Sequence, residues 1–219
     1  ILSMLLLSTY LFLKNKKILS TLFSFLAFLG KYNAIFFLIF YISHYLHKKE
    51  FKNLLIFGLS SSLLVGLTYL WINSLAPYKS LIAELSRSSW ESIPHYFAEY
   101  IFKDVFEKSL VINFFLILGT ILSLGSSYYF AKRERIIESI TSPVFIFCLL
   151  ITPVYNNWYL IIPLAFATLI INSTLGKSIF LFATCSQLTV IKFFAYYDVW
   201  PYPESQIFIT FVPTLGYLS

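Results

Sequence analysis

Apolar and polar positions along this chain alternate in blocks, and the blocks predict helices of two lengths. Leu54–Ala76 and Ser109–Ala131 are uninterrupted apolar or small-residue runs, each long enough for a full membrane span. Other runs are short and come in pairs around a polar break. The first pair is Ile18–Gly30 and Ala34–Leu46, divided by Lys31, Tyr32 and Asn33. The second is Ile140–Thr152 and Trp158–Ile171, divided by Pro153–Asn157. A helix of about a dozen residues reaches about 18 Å, against a hydrocarbon core of about 30 Å, so neither half of a pair spans a bilayer alone. Each pair is therefore either one long rod or two short helices that dip in and return. Ile1–Leu13 reads as the tail of a span and Lys14–Lys17 as a basic turn. Asn172–Lys177 reads as a turn, Ser178–Ala195 as a span, Tyr197–Ser205 as a Pro-rich polar turn, and Gln206–Ser219 as the start of a last span.

Composition agrees with the pattern. The chain is 58% hydrophobic and 12% charged, where a soluble domain carries about twice that charge. Continuous runs exclude the alternating signature of a barrel. The reading is an all-α polytopic transmembrane bundle, a single domain over residues 1–219, with short paired helices and an interfacial helical loop. The first residue, Ile1, falls inside an apolar run, so the chain reads as a C-terminal portion with its first external loop missing.

Charge orients it. With both pairs folded back, one side carries ten cations (Lys14, Lys16, Lys17, Lys48, Lys49, Lys52, Lys132, Arg133, Arg135, Lys177) and the other four (Lys79, Arg87, Lys103, Lys108). With both pairs as rods the split is eight to six. The positive-inside rule favours the hairpins, which also lift Lys31 out of mid-membrane, where a charge costs about 2.5–3.5 kcal/mol. Lys31, the loop Pro77–Lys108 and the second break then share the non-cytoplasmic face. The net charge of +6 is accounted for by orientation, and no nucleic-acid partner is read from it.

Candidate chemistry gathers on that face. Lys31 offers a point charge suited to a phosphate, with Tyr32 and Asn33 as hydrogen-bonding neighbours; it could equally be an interfacial anchor. Tyr155, Asn156, Asn157, Trp158 and Tyr159 offer rings for a sugar or isoprenoid to stack on, and amides that cap helices. In the loop, Pro94–Lys108 has helical spacing, with Phe97, Ile101 and Val105 on one stripe and Glu99, Lys103 and Glu107 opposite. Arg87, Trp90, Glu91 and His95 are its candidates for substrate contact. Cys148 and Cys185 read as packed thiols, and His44 and His47 as interface residues by the basic cluster. No metal motif, phosphate loop or nucleophile elbow is present, and no cofactor is expected.

The Gly-Lys-Tyr-Asn break between apolar runs and the later Pro153-Val-Tyr-Asn-Asn-Trp-Tyr-Leu-Ile-Ile-Pro163 resemble the paired broken helices of GT-C glycosyltransferases, family 87 and the GPI-mannosyltransferase-like branch. Asn33 stands where those patterns have Pro. The resemblance implies a multi-pass transferase moving a sugar, by analogy a mannose-like hexose, from a polyprenyl-phosphate donor to a glycan, lipid or protein acceptor outside the cytoplasm. It implies a bacterial plasma membrane or endoplasmic reticulum location, and an acidic catalytic base upstream of Ile1. The competing expectation is a transporter, flippase or polymerase of lipid-linked saccharides. A transporter would carry an internal repeat; in sequence only a loose echo between the two pairs is visible.

Overall fold

The computed structural model describes residues 1–30, 34–72, 79, 92–151 and 160–196. Among them every regular element is helical. In order these are α1 (Leu2–Leu13), α2 (Lys17–Gly30), α3 (Ile35–His47), α4 (Phe51–Ile72), α5 (Ile93–Tyr96, continued by a π-turn Phe97–Ile101), α6 (Lys108–Lys132), α7 (Ile136–Ile146, continued by a π-turn Phe147–Ile151), α8 (Ile161–Ala167, tightening to a 3₁₀ turn Thr168–Ile170) and α9 (Thr174–Tyr196). The chain divides into two compact units, Ile1–Ala83 with Ser123–Val144, and Glu84–Leu122 with Phe145–Ser219.

Among the described residues two helices are long and apolar enough to cross a membrane, Phe51–Leu70 and Lys108–Lys132. Along the first, Leu55, Leu59 and Leu63 are each 63% exposed, a four-residue spacing that makes one apolar stripe. Along the second, Leu110, Phe114, Ile117 and Ile121 are likewise exposed. Stripes this apolar and this uncovered suit lipid rather than water.

In the first unit α2 and α3 fold back on one another. Lys17, the first residue of α2, pairs with Glu50, just past the end of α3. Ser20 and Ser24 of α2 both bond the Tyr41 hydroxyl of α3. A straight rod would hold Ser20 and Tyr41 about 31 Å apart at 1.5 Å per residue, so the first pair is a hairpin. What closes it is a buried hydroxyl cluster. Ser8 Oγ lies 2.6 Å from Ser24 Oγ and 2.7 Å from the Tyr41 hydroxyl, and it donates to the Ser20 carbonyl at 2.7 Å. Ser20 Oγ returns a bond to the Ser8 carbonyl at 2.7 Å. All four side chains are fully buried, and Tyr41 stacks on Phe57 of α4 at 5.5 Å.

The junction of α6 and α7 repeats this local plan. Ser127 Oγ donates to the Ser139 carbonyl at 2.8 Å and Ser139 Oγ to the Ser127 carbonyl at 2.7 Å, across the same 12-residue separation as Ser8 and Ser20. Pro143 lies inside α7 and has no N–H for the carbonyl four residues back, which is that of Ser139. The Ser127 hydroxyl supplies the missing donor. The turns match as well. Among the described residues the non-glycine positions of positive φ are Asn15 (61°), Lys49 (54°) and Glu134 (58°). After each, the next N–H bonds the carbonyl five residues back, Lys16 to Leu11 at 2.9 Å, Glu50 to Tyr45 at 2.9 Å and Arg135 to Phe130 at 3.0 Å, the helix ending that a left-handed residue permits. Lys14 sits over the Tyr10 ring, and Arg133 sits at the equivalent place over Tyr129.

Three sequence expectations change. The helix expected over Pro94–Lys108 ends at Ile101, leaving Val105 in a turn, 67% exposed; Ser92 caps its start and Pro94 occupies its first turn. The turn expected over Asn172–Lys177 is shorter, because Ser173 Oγ accepts the Gly176 N–H at 3.0 Å and starts α9 at Thr174. A Cβ at Gly176 would lie 2.2 Å from the Ile170 carbonyl oxygen, so this tight turn requires glycine. The repeat in hydroxyl bonds and turn geometry is between the α1–α2 and α6–α7 junctions, one helix earlier than the echo between the two pairs read from sequence.

Tyr41→Phe removes the hydroxyl on which Ser8, Ser20 and Ser24 converge, and a loss of about 1–3 kcal/mol is expected in thermal unfolding of the purified protein. Ser127→Ala should cost a similar amount, about 1–3 kcal/mol. Adding Pro143→Ala should recover much of it, because the restored N–H again pairs with Ser139; simple additivity of the two changes would show that the hydroxyl does not serve this carbonyl.

Candidate functional site

Of the residues singled out by sequence, Lys31, Tyr32, Asn33, Arg87, Trp90, Glu91, Tyr155, Asn156, Asn157, Trp158 and Tyr159 lie outside the described residues. So do the turn expected over Tyr197–Ser205 and the last span expected from Gln206. The elements around the first break are described. Gly30 ends α2, and a Cβ added there would meet the Ile1 side chain at 3.0 Å. Ala34 opens α3 fully buried. Gly30 and Ala34 thus lie at the end of the antiparallel α2 and α3 opposite Lys17 and Glu50. Around the second break, α7 and its π-turn approach from one side and Leu160 resumes on the other.

His95 is the one candidate whose surroundings are on view, in the second unit. Ser92 Oγ accepts the His95 backbone N–H at 3.3 Å and fixes the helix start. Phe97 packs on Phe115 of α6 with ring centroids 5.3 Å apart, and Tyr96 stacks on Tyr100 at 5.3 Å. Lys108 bridges to Glu99, tying the start of α6 to the π-turn. The imidazole is half-buried, and its Nδ1 is buried with no hydrogen-bond partner among the described residues. Burial pushes its pKa below the ordinary imidazole value, the Lys108 charge lowers it further, and Glu99 opposes both. The depressed value favours the neutral ring at pH 7. The Lys108 hydrogen bond in turn holds the Glu99 carboxyl below its usual range.

Sequence reasoning missed Ser8, Ser20, Ser24 and Tyr41 as a group. One signal was present: Ser20 and Ser24 are four apart, so they share a helix face inside an apolar run. It missed the link between Lys108 and Glu99 because that depends on the π-turn. Among the described residues no cluster of His, Cys, Asp and Glu could hold a metal ion. Comparison with known protein families, curated proteins and solved structures finds no match to this chain.

His95 should titrate below about 6.5 when followed by NMR of the histidine ring. Replacing Glu99 by Gln should lower it again, because the carboxylate is what favours the charged ring. Since the folded value is depressed, any stability linked to His95 is present above the ordinary value and lost as pH falls below it.

Proposed function

We propose that this protein is a multi-pass membrane glycosyltransferase that passes a hexose from a polyprenyl-phosphate donor to an acceptor on the non-cytoplasmic face. The observation that carries the reading is the fold-back of α2 on α3, evident in the Lys17–Glu50 pair and the serine–tyrosine cluster. A fold-back makes Lys31 part of a connection between short helices rather than a charge within a single rod. A lysine there is suited to a departing lipid phosphate, whose charge grows in the transition state. In this reading Tyr32 and Asn33 assist at the phosphate, Trp158 and Tyr159 line the sugar pocket with Tyr155, Asn156 and Asn157, and Arg87, Trp90, Glu91 and His95 meet sugar or acceptor. In this reading a carboxylate is the base that activates the acceptor hydroxyl.

A second reading, a carrier of lipid-linked saccharides, is favoured by a different observation. The α1–α2 and α6–α7 junctions repeat one another in serine pair, left-handed turn and stacked cation, and transporters are commonly built from such repeats.

With the intact protein in detergent and a polyprenyl-phosphate mannose donor, sugar transfer is expected, and Lys31→Ala should slow it by about 10²–10³-fold. Undiminished transfer by the variant would remove Lys31 from the mechanism. Absence of transfer in detergent, with passage of the lipid-linked sugar across sealed vesicles, would establish the carrier instead.

A further inference from the structure

The basic end of the first unit holds a cavity that neither reading uses. It has a volume of about 430 Å³ and lies where the α1–α2 turn and the start of α2 face the end of α3 and the start of α4. Its lining is divided. Lys16, Lys17 and Asn53 supply two cations and an amide to it, while Ile18, Ile56 and Phe57 supply apolar surface. Ile18 is 65% exposed, so this apolar surface reaches the outside of the unit.

The charge there is not balanced from within. Glu50 is the carboxylate of the turn between α3 and α4, and it is engaged by Lys17 and Asn53. The Lys17 bond holds the Glu50 carboxyl below its ordinary range, so it is fully ionised at neutral pH. Lys48 is drawn away to Glu134 at 3.1 Å. Lys16 lines the cavity, is exposed, and has no ion-pair partner among the described residues. α2 carries no acidic residue in its first turn, so the positive end of that helix adds to the lysines.

A ligand that answers all of this has a negative head and an apolar body. We propose that the cavity binds the phosphate headgroup of an anionic phospholipid, with Lys16 and Asn53 on the phosphate and the first part of an acyl chain against Ile18, Ile56 and Phe57. A sugar phosphate or nucleotide would leave the apolar surface uncovered, and a neutral lipid would leave Lys16 unanswered. The proposal rests on α4 being a membrane span and is independent of sugar transfer.

The test is binding of short-chain phosphatidylglycerol, phosphatidylcholine and inorganic phosphate to the intact, delipidated protein in detergent, by native mass spectrometry and titration. Phosphatidylglycerol should occupy one site at least tenfold more tightly than phosphatidylcholine. Lys16→Gln should weaken it about fivefold, the share of one surface lysine. Ile18→Trp, at an exposed position that leaves the charge untouched, should weaken it by narrowing the apolar side. Lys177→Gln should leave it unchanged. Equal binding of the two lipids, or no effect of Lys16→Gln, would overturn the proposal. Inorganic phosphate binding as tightly as phosphatidylglycerol would reassign the cavity to a free anion and overturn the lipid assignment. Activity in sugar transfer does not enter any of these outcomes.

Discussion

The first unit depends on a small set of hydroxyls placed where only carbon would otherwise meet. Ser8, Ser20, Ser24 and Tyr41 converge from three helices, and each is fully buried. In an apolar setting such groups are costly alone and inexpensive together, so they specify one arrangement of α1, α2 and α3 rather than merely tightening it. Short helices gain little from length. What holds α2 and α3 in register is this cluster at mid-helix and the Lys17–Glu50 pair at one end, while Phe12 packs against Phe40 at 4.8 Å and closes the remaining side.

The same solution recurs where α6 meets α7, with a different stress behind it. There the reciprocal serine pair also feeds a carbonyl that Pro143 cannot serve. A proline within a helix is tolerated when a neighbour re-satisfies the freed acceptor, and Ser127 is that neighbour. Both junctions end their first helix on a left-handed residue flanked by cations. Asn15 suits that conformation, whereas Lys49 and Glu134 adopt it at a cost. The cost is offset by the two carbonyls each turn satisfies and by ion pairs that its residues make, Lys17 to Glu50 and Lys48 to Glu134.

These turns also put cations and apolar surface beside one another at one end of the first unit. That combination suits a membrane interface, where lysines meet headgroups and leucines meet chains. The proposed lipid site is a local concentration of the same chemistry, with a cavity to give it shape. The proposed sugar-transfer centre makes the opposite demand, polar breaks within apolar sequence.

How much of this was legible in sequence depends on the range of the interaction. Apolar runs set the helices and their lengths, because hydrophobicity and propensity act residue by residue. The loop count of Lys and Arg favoured a fold-back of the first pair, since orientation responds to charge in short segments. The resemblance of the Lys31 and Trp158 stretches to sugar transferases likewise belongs to sequence alone. Tertiary structure decided what no window could contain. It ended the Pro94 helix at Ile101 through a π-turn, and it sent the Ser127 hydroxyl to the carbonyl stranded by Pro143. It gathered Ser8, Ser20, Ser24 and Tyr41 from three helices, and it left Lys16, beside apolar surface, without an ion-pair partner among the described residues. A hydroxyl or an ammonium in the sequence carries no record of its partner, and only the packing of one helix on another determines whether a buried group is satisfied or a charge is left for a ligand.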